Sequence, residues 1–284
     1  MMILLDGKCL SNQIKEEIAT EISALYEKDS SHKIGLAVIL VGDNLASQIY
    51  VKNKITACLH VGIKSFQYNL KESTTDDELL TLIDELNDDD NVNGILVQLP
   101  LPPHIEEEKI LAKIDPLKDV DGFTPYQVGL LTIGQKSFVP CTPKGIITLL
   151  ERNKIEIAGR HAVIVGRSNV VGKPLMQLLL QKDATVTICH SKTKNLSDIT
   201  KSADILIVAV GKPCFIKADM LNQGVILVDV GINRVDGRLV GDADFENVKD
   251  KCAYITPVPG GVGPMTITML LQNTVEAYYA RKNR

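Results

Sequence analysis

Residues Ala162 to Gln181 constrain the chain more than any other stretch. Ala162 to Val165 are four small or β-branched apolar residues, the composition of a buried strand. Gly166 ends them, and an apolar segment of helical length, Leu175 to Gln181, follows. A helix that starts at such a turn presents unpaired N–H groups and the positive end of its dipole above the strand, a position that suits an anion, most often a phosphate. Ala184 to Cys189 reads as a second strand, so the unit is βαβ, with its turn where a dinucleotide's pyrophosphate would lie. The glycine pattern is incomplete: Gly166 and Gly172 are six apart, and Ser168 stands at the middle glycine of Gly-x-Gly-x-x-Gly. Ser168 can offer a hydroxyl to a phosphate, although its Cβ restricts backbone approach. The alternative is a parallel strand-to-helix turn without a ligand.

With 284 residues the chain is long enough for two domains of ordinary size, each with its own core. Its 45% hydrophobic and 23% charged residues are those of a soluble globular protein, neither disordered nor membrane-spanning. A net charge of -4 without a dense Lys/Arg stripe argues against nucleic acid as a main partner. The N-terminus meets Asp6 too soon for a signal peptide, and no apolar run reaches membrane-spanning length; no membrane association and a cytoplasmic location are expected. Cys9, Cys58, Cys141, Cys189, Cys214 and Cys252 are scattered, with no Cys-x-x-Cys and no histidine at zinc-ligand spacing. They read as buried free thiols in a reducing compartment, and no metal site is expected. His32, His60, His104 and His161 belong to no motif and read as surface or packing residues.

Met2 to Leu5 is a candidate short strand. Ile14, Ile18, Ile22 and Leu25 recur at helical spacing, and Ile34 to Val41 is almost wholly apolar, as strands covered on both faces are. Gly42-Asp43-Asn44 breaks that run before a helix from about Ala46 to His60. Ile63 to Leu70 alternates as a strand, Thr74 to Glu78 caps a helix to about Leu86, and Gly94 to Gln98 is a further buried strand. The first 120 or so residues thus read as an α/β domain. Leu99 to Pro103 runs extended through its prolines, and Asp115 to Gly122 is turn-rich. Thr124-Pro125 and Thr142-Pro143 each place a capping residue before a proline at the first helical position, predicting two bridging helices. Beyond them come strands at Ile205 to Val210 and Val225 to Val230, then a hairpin turning on Asp236-Gly237 between Asn233 to Val235 and Arg238 to Val240. A short strand at Tyr254 to Thr256 and a final helix to about Ala280 complete the chain.

On a helix from Ala46 to His60, Ser47, Tyr50 and Lys54 share one face and Lys52 points elsewhere. That helix begins just past the C-terminal end of a strand, where open α/β sheets bind ligands, and Gln98 closes a buried strand at the same edge. The plain alternatives are an amphipathic helix with a solvated lysine and a turn-bonded glutamine. Asp119 to Gly122 reads equally well as a turn and lacks the spacing and closing glutamate of a calcium loop. Gly260 to Pro264 either lines a cofactor by close backbone approach or connects strand to helix. At the end of the second strand of the βαβ unit an NAD site places an acid; here stand Cys189-His190-Ser191-Lys192-Thr193. Arg167, Ser191 and Lys192 could bind a 2′-phosphate, which favours NADP over NAD. A polar βα loop is the alternative.

Five segments, Ser47 to Lys54 (SQIYVKNK), Val97 to Pro102 (VQLPLP), Asp119 to Gly122 (DVDG), Gly166 to Pro174 (GRSNVVGKP) and Pro257 to Thr266 (PVPGGVGPMT), carry a further signal. In this order they resemble the bifunctional methylenetetrahydrofolate dehydrogenase/methenyltetrahydrofolate cyclohydrolase family over nearly the whole chain. The resemblance implies two three-layer α/β domains flanking a cleft. A folate-binding catalytic domain is expected over residues 1–122, with the C-terminal helix 264–284 packed back on it. A linking segment, 123–142, and a Rossmann-like NADP-binding domain, 143–263, follow. The implied activity is NADP-dependent oxidation of 5,10-methylenetetrahydrofolate and hydrolysis of the methenyl product to 10-formyltetrahydrofolate. By similarity Lys54 is the catalytic lysine, Tyr50 stacks on the folate's aminobenzoyl ring, Gln98 hydrogen-bonds near Lys54 and Asp121 binds the pterin edge. Gly166, Arg167, Ser168, Gly172, His190, Ser191 and Ile232 are expected to hold the cofactor. Gly260, Gly261 and Pro264 are expected in a loop near nicotinamide and folate. A homodimer through the NADP domain, a place in purine biosynthesis and no formyl-ligase domain after Arg284 are implied likewise.

The residue types suit that chemistry. Hydride removal leaves a cation delocalised over two folate nitrogens and needs orientation more than a base. Hydrolysis needs water deprotonated as it attacks, and a lysine can do this only with its pKa lowered, by desolvation or by a nearby cationic substrate. Lys54 is therefore expected to serve chiefly the hydrolysis. Two other readings are an NADP-dependent dehydrogenase of another small metabolite, which leaves Tyr50 and the Gly260 loop unexplained, and a catalytically silent NADP sensor, against which Lys54, Gln98 and Asp121 stand.

Overall fold

A computed structural model describes residues 2–29 and 33–282; His32 lies outside the described residues. The chain divides into two compact units, one of Met1–Asn12 with Thr142–Thr266, the other of Gln13–Cys141 with Ile267–Arg284. Strand β1 (Ile3–Leu4) is followed by helix α1 (Gly7–Lys28), whose Ile14, Ile18 and Ile22 are buried. Next come β2 (Gly35–Val41), α2 (Leu45–Val61), β3 (Lys64–Leu70), α3 (Asp76–Asp88), β4 (Gly94–Val97), α4 (Glu107–Lys113) and α5 (Pro125–Thr132).

β2 is apolar throughout because it is central: β3 and β4 pair with it in parallel on either side, in the order β3-β2-β4. Ala37, Ile39 and Val41 pack with Leu79, Ile83 and Leu86 of α3 and Ile110 of α4. Alternation turns the buried Leu36, Val38 and Leu40 to the other face. Reversing the direction of travel between β3 and β4 places α2 and α3 on opposite faces if both crossovers are right-handed, which makes three layers. Thr75 starts α3 with a capping box, its backbone N–H donating to Glu78 Oε2 at 2.8 Å and its hydroxyl accepting from the Glu78 N–H. Thr124 caps α5 as expected, accepting from the Gln127 N–H. The strand order reverses beside β2, so the C-terminal ends of β2 and β4 form the crevice where such sheets take ligands.

Helix α6 (Cys141–Arg152) leads to β5 (His161–Val165), α7 (Gly172–Leu180), β6 (Thr185–Cys189), α8 (Leu196–Lys201), β7 (Ile205–Val208) and β8 (Val225–Asp229). The hairpin β9 (Asn233–Val235) and β10 (Arg238–Val240), α9 (Phe245–Val248), β11 (Cys252–Ile255) and α10 (Val262–Lys282) follow. The six-stranded sheet, order β1-β11-β8-β7-β5-β6, is parallel at every pairing. β5 sits between β6 and β7, so this Rossmann-like sheet has its own switch point at the ends of β5 and β7. Val163, Val165, Leu206, Val208, Leu227 and Ile255 contribute to its core.

Two expectations change, and three short helices are new. The span 1–122 grouped the N-terminal strand with the first sheet, but Ile3 and Leu4 pair with Tyr254 and Ile255 of β11. Thr142 is not an N-cap: α6 begins one residue earlier, and the Thr142 hydroxyl lies 2.9 Å from that of Thr266. Pro143 falls third in that helix, where a backbone N–H would have no intrahelical partner. Helices α4, α8 and α9, with 7, 6 and 4 residues, are too short for periodicity to reveal. Among the described residues no helix is long and apolar enough to cross a membrane. His60 pairs with Glu16, His104 with the Thr74 carbonyl, and His161 with Ser202 and Thr187, in keeping with surface or packing roles.

Candidate active site

α2 starts where β2 ends, and Asn44 sets its phase: the Asn44 Oδ1 accepts from the Ser47 N–H at 3.0 Å. Ser47, Tyr50 and Lys54 then lie along one side of the helix. Ser47 is buried, Lys54 half-buried, and Tyr50 is 40% exposed, whereas Lys52 is exposed. Lys54 Nζ donates to Gln98 Oε1 at 3.0 Å. Gln98 immediately follows β4, its N–H donating to the Ile39 carbonyl of β2 at 2.9 Å and its Nε2 to the Leu99 carbonyl at 2.6 Å. With the Gln98 NH2 group engaged in this way, its carbonyl oxygen is the end that meets the lysine. The switch point of the first sheet thus presents an amine held by a neutral acceptor.

The Asp115 to Gly122 loop is pinned from inside. Lys118 is fully buried, and its Nζ donates to the carbonyls of Leu86 and Asp89 at 2.7 and 2.8 Å, at the end of α3. Asp119 is buried too, accepting from the N–H groups of Gly122 and Thr124 at 2.9 and 2.7 Å. Burial pushes the Asp119 carboxyl up, while its Thr124 and Phe123 partners pull it down. The Ile95 N–H donates to the Lys118 carbonyl at 2.7 Å and stitches the loop to β4. Asp119 therefore builds the turn. Asp121, half-buried, has its Oδ1 3.3 Å from Cys141 Sγ. Among the described residues no group of three or more His, Cys, Asp or Glu side chains could hold a metal ion.

In the other unit, β5 ends at Gly166, whose φ is +131°; a Cβ there would lie 2.3 Å from the Ala209 carbonyl oxygen just beyond β7. A Cβ at Gly172 would lie 2.1 Å from the Gly166 carbonyl oxygen, so both glycines are demanded by the turn itself. Ser168 closes that turn, its Oγ accepting from the Val171 N–H at 3.1 Å and its carbonyl from the Lys173 N–H at 3.0 Å. No side chain caps α7, but Ser168 already takes the Val171 and Lys173 N–H groups and Pro174 has none, so the Gly172 N–H and the helix dipole are what this turn offers an anion. Val165 and Cys189 are register partners on β5 and β6, and the exposed Arg167 and Ser191 each come two residues later. The βα loop there is shaped by the His190 N–H donating to Thr193 Oγ1 at 2.9 Å and the Lys192 N–H to His190 Nδ1 at 3.1 Å. Ile232 is 47% exposed. The Gly260 to Pro264 loop packs on the first turn of α1: a Cβ on Gly7 would meet the Gly261 carbonyl oxygen at 1.9 Å. Lys8 N–H and Ser11 Oγ donate to the carbonyls of Gly260 and Pro264 at 2.8 and 3.3 Å. Here the close approach that glycine permits is to the chain's own N-terminal helix.

Residues 5–121 match the family model for the catalytic domain of tetrahydrofolate dehydrogenase/cyclohydrolase, and residues 140–282 match that for its NAD(P)-binding domain. The chain belongs to the tetrahydrofolate dehydrogenase/cyclohydrolase family. It is 56% identical to the bifunctional protein FolD of Agathobacter rectalis, over 98% of this chain and 99% of that protein. Among solved structures it resembles the bifunctional methylenetetrahydrofolate dehydrogenase/cyclohydrolase FolD of Campylobacter jejuni, at 55% identity and a TM-score of 0.97 over 99% of this chain and 100% of that one. The Trypanosoma brucei enzyme, solved with NADP cofactor and inhibitor, is 36% identical with a TM-score of 0.96, over 100% of this chain and 99% of that one. In this tetrahydrofolate dehydrogenase/cyclohydrolase, Lys118 and the fully buried Asn273 of α10 escaped the sequence reading. Nothing in a single sequence marks a lysine in a polar loop, or an asparagine in a helix, as buried.

Proposed function

We propose that this family member oxidises 5,10-methylenetetrahydrofolate to 5,10-methenyltetrahydrofolate with NADP and hydrolyses the product to 10-formyltetrahydrofolate. It is a bifunctional enzyme of one-carbon metabolism, a dehydrogenase and a cyclohydrolase. The observation that carries the residue assignment is the 3.0 Å hydrogen bond from Lys54 to Gln98 at the switch point of the first sheet.

Tyr50, one turn before Lys54, offers its exposed ring to the aminobenzoyl group. Asp121 anchors the pterin edge, a carboxylate accepting from N–H donors. The turn before α7, with Gly166, Ser168 and Gly172, receives the pyrophosphate, Arg167 and Ser191 take the 2′-phosphate, and His190 and Ile232 line the same site. Gly260, Gly261 and Pro264 enter this reading through the family resemblance alone. When bound, NADP supplies the acceptor for the hydride. Loss of hydride from the methylene carbon leaves a cation spread over that carbon, N5 and N10. Water then adds to the carbon and loses a proton to Lys54, which Gln98 holds in place. The carbon–N5 bond breaks, N5 regains a proton, and the formyl group stays on N10.

Purified protein given methylenetetrahydrofolate with NADP or NAD, with reduced cofactor and methenyl product followed separately, tests this. NADP reduction with little methenyl accumulation is expected. Accumulating methenyl product would remove Lys54 from its role, and no turnover with either cofactor would favour the sensor or another substrate.

A homodimer through the NADP unit, a cytoplasmic location and a supply of the 10-formyl product to purine biosynthesis belong to the same reading. The exposed Val235 and Leu239 of the β9–β10 hairpin support the first; six cysteines outside any disulfide, four buried but Cys9 exposed and Cys214 half-buried, support a reducing compartment. Sedimentation, cell fractionation and purine dependence on loss of the gene test the three.

A further inference from the structure

Cys141 is 3% exposed and is the first residue of α6. Its Sγ lies 3.3 Å from Asp121 Oδ1 and 3.5 Å from the Val120 carbonyl oxygen, so the thiol faces polar acceptors. Below it, the fully buried Asn273 of α10 donates from Nδ2 to the carbonyls of Val120 and Val139 at 2.7 and 3.0 Å and toward Cys141 Sγ at 3.7 Å. All these residues belong to one compact unit. One amide therefore ties the segment that carries Asp121 to the segment that leads to Cys141, and the thiol of the second reaches the carboxylate of the first. A cysteine placed only as a small hydrophobe would have apolar neighbours in that direction.

We propose that Cys141 is a positioning residue for Asp121. Its S–H donates to Oδ1 and sets the plane of the carboxylate, Oδ2 is turned to the substrate, and Asn273 holds the platform on which both stand. The proposal rests on Asp121 being the folate anchor. A donor to a carboxylate stabilises one orientation of it, and losing that donor weakens ground-state and transition-state binding of the folate alike; KM rises while kcat holds.

Steady-state dehydrogenase kinetics on wild type, Cys141→Ala, Cys141→Ser and Asp121→Asn test this, with melting temperatures recorded for each. Cys141→Ala should raise the KM for methylenetetrahydrofolate about fivefold to tenfold, leaving kcat and the KM for NADP within about twofold. Cys141→Ser removes similar volume but keeps a donor, so it should return to within about threefold of wild type. A packing role would make Ala and Ser equal, and that result, or an unchanged KM in Cys141→Ala, overturns the proposal provided Asp121→Asn raises the KM. An unchanged folate KM in Asp121→Asn would instead overturn the anchor itself. Should Cys141→Ala fail to fold, the S–H stretching band of Cys141 decides: it should shift to higher frequency in Asp121→Asn, and a band that stays in place overturns the proposal.

Discussion

Lys54 and Lys118 are the same residue type put to opposite uses. Lys118 is fully buried with both Nζ contacts on carbonyls at the end of α3; its loss takes that donor from the Leu86 carbonyl, while the Asp89 carbonyl keeps the Val92 N–H at 3.1 Å. Lys118→Met is expected to cost about 1 to 3 kcal/mol, read as a lower denaturant midpoint, because a buried acceptor loses its partner. Lys54→Met should lower hydrolysis of the methenyl compound at least about 100-fold and hydride transfer much less. Equal loss of both at saturating substrate would contradict that division. Arg167→Ala should raise the KM for NADP about tenfold and leave that for NAD unchanged, since only NADP carries the 2′-phosphate. Helical spacing made Tyr50 and Lys54 legible as a pair on one face. Spacing alone could not pair Lys54 with Gln98, forty-four residues away in sequence; that meeting was legible only from their shared sheet edge and the family resemblance.

At the scale of elements, the C-terminal ends of β7 and β8 are organised by two carboxylates. Asp229 accepts from the N–H groups of Gly231, Asp242 and Ala243 at 2.9, 2.9 and 2.8 Å. Asp242 accepts from the N–H groups of Val210, Gly211 and Lys212 and from Asn233 Nδ2. Burial first, and then neighbouring Asp242, outweigh the three N–H donors that pull it down, so that the Asp229 carboxyl is pushed up to about 6. The folded chain thus holds that proton more tightly than the unfolded one. Its contribution to stability is full at and below the ordinary carboxylate range and is lost as pH rises to about 6. Asp229→Asn, which cannot ionise but offers a single acceptor oxygen, should be less stable overall and lack that decline. Parallel midpoint-against-pH profiles for variant and wild type between about pH 4 and 6 would contradict this. Strands such as β2 and β5 were legible because continuous apolar runs mark strands covered on both faces. α4, α8 and α9 were not, since helices this short depend on the contacts around them.

For the whole molecule, ligands that bind the folded state alone should protect the unit that holds them. At about a hundred times its Kd a ligand adds about 2.7 kcal/mol. NADP is expected to slow amide exchange chiefly within Thr142–Thr266, and a folate analogue within Gln13–Cys141; protection in the opposite units would overturn the assignment of the two sites. Five separated motifs placed the family, and alternation and turn chemistry placed the central strands, the Asp236-Gly237 hairpin and the glycine turn at Gly166. These depend on local rules, on which residues suit a strand, a tight turn or a helix start, and a single sequence states them directly. Only the tertiary structure decided that β1 pairs with β11 across some two hundred and fifty residues, that Gly261 is tight against Gly7, and that Lys118 and Asn273 are interior. Pairing at that distance is chosen by which edge and which cavity remain open once the rest has packed, and burial of a polar side chain by whether acceptors meet it there.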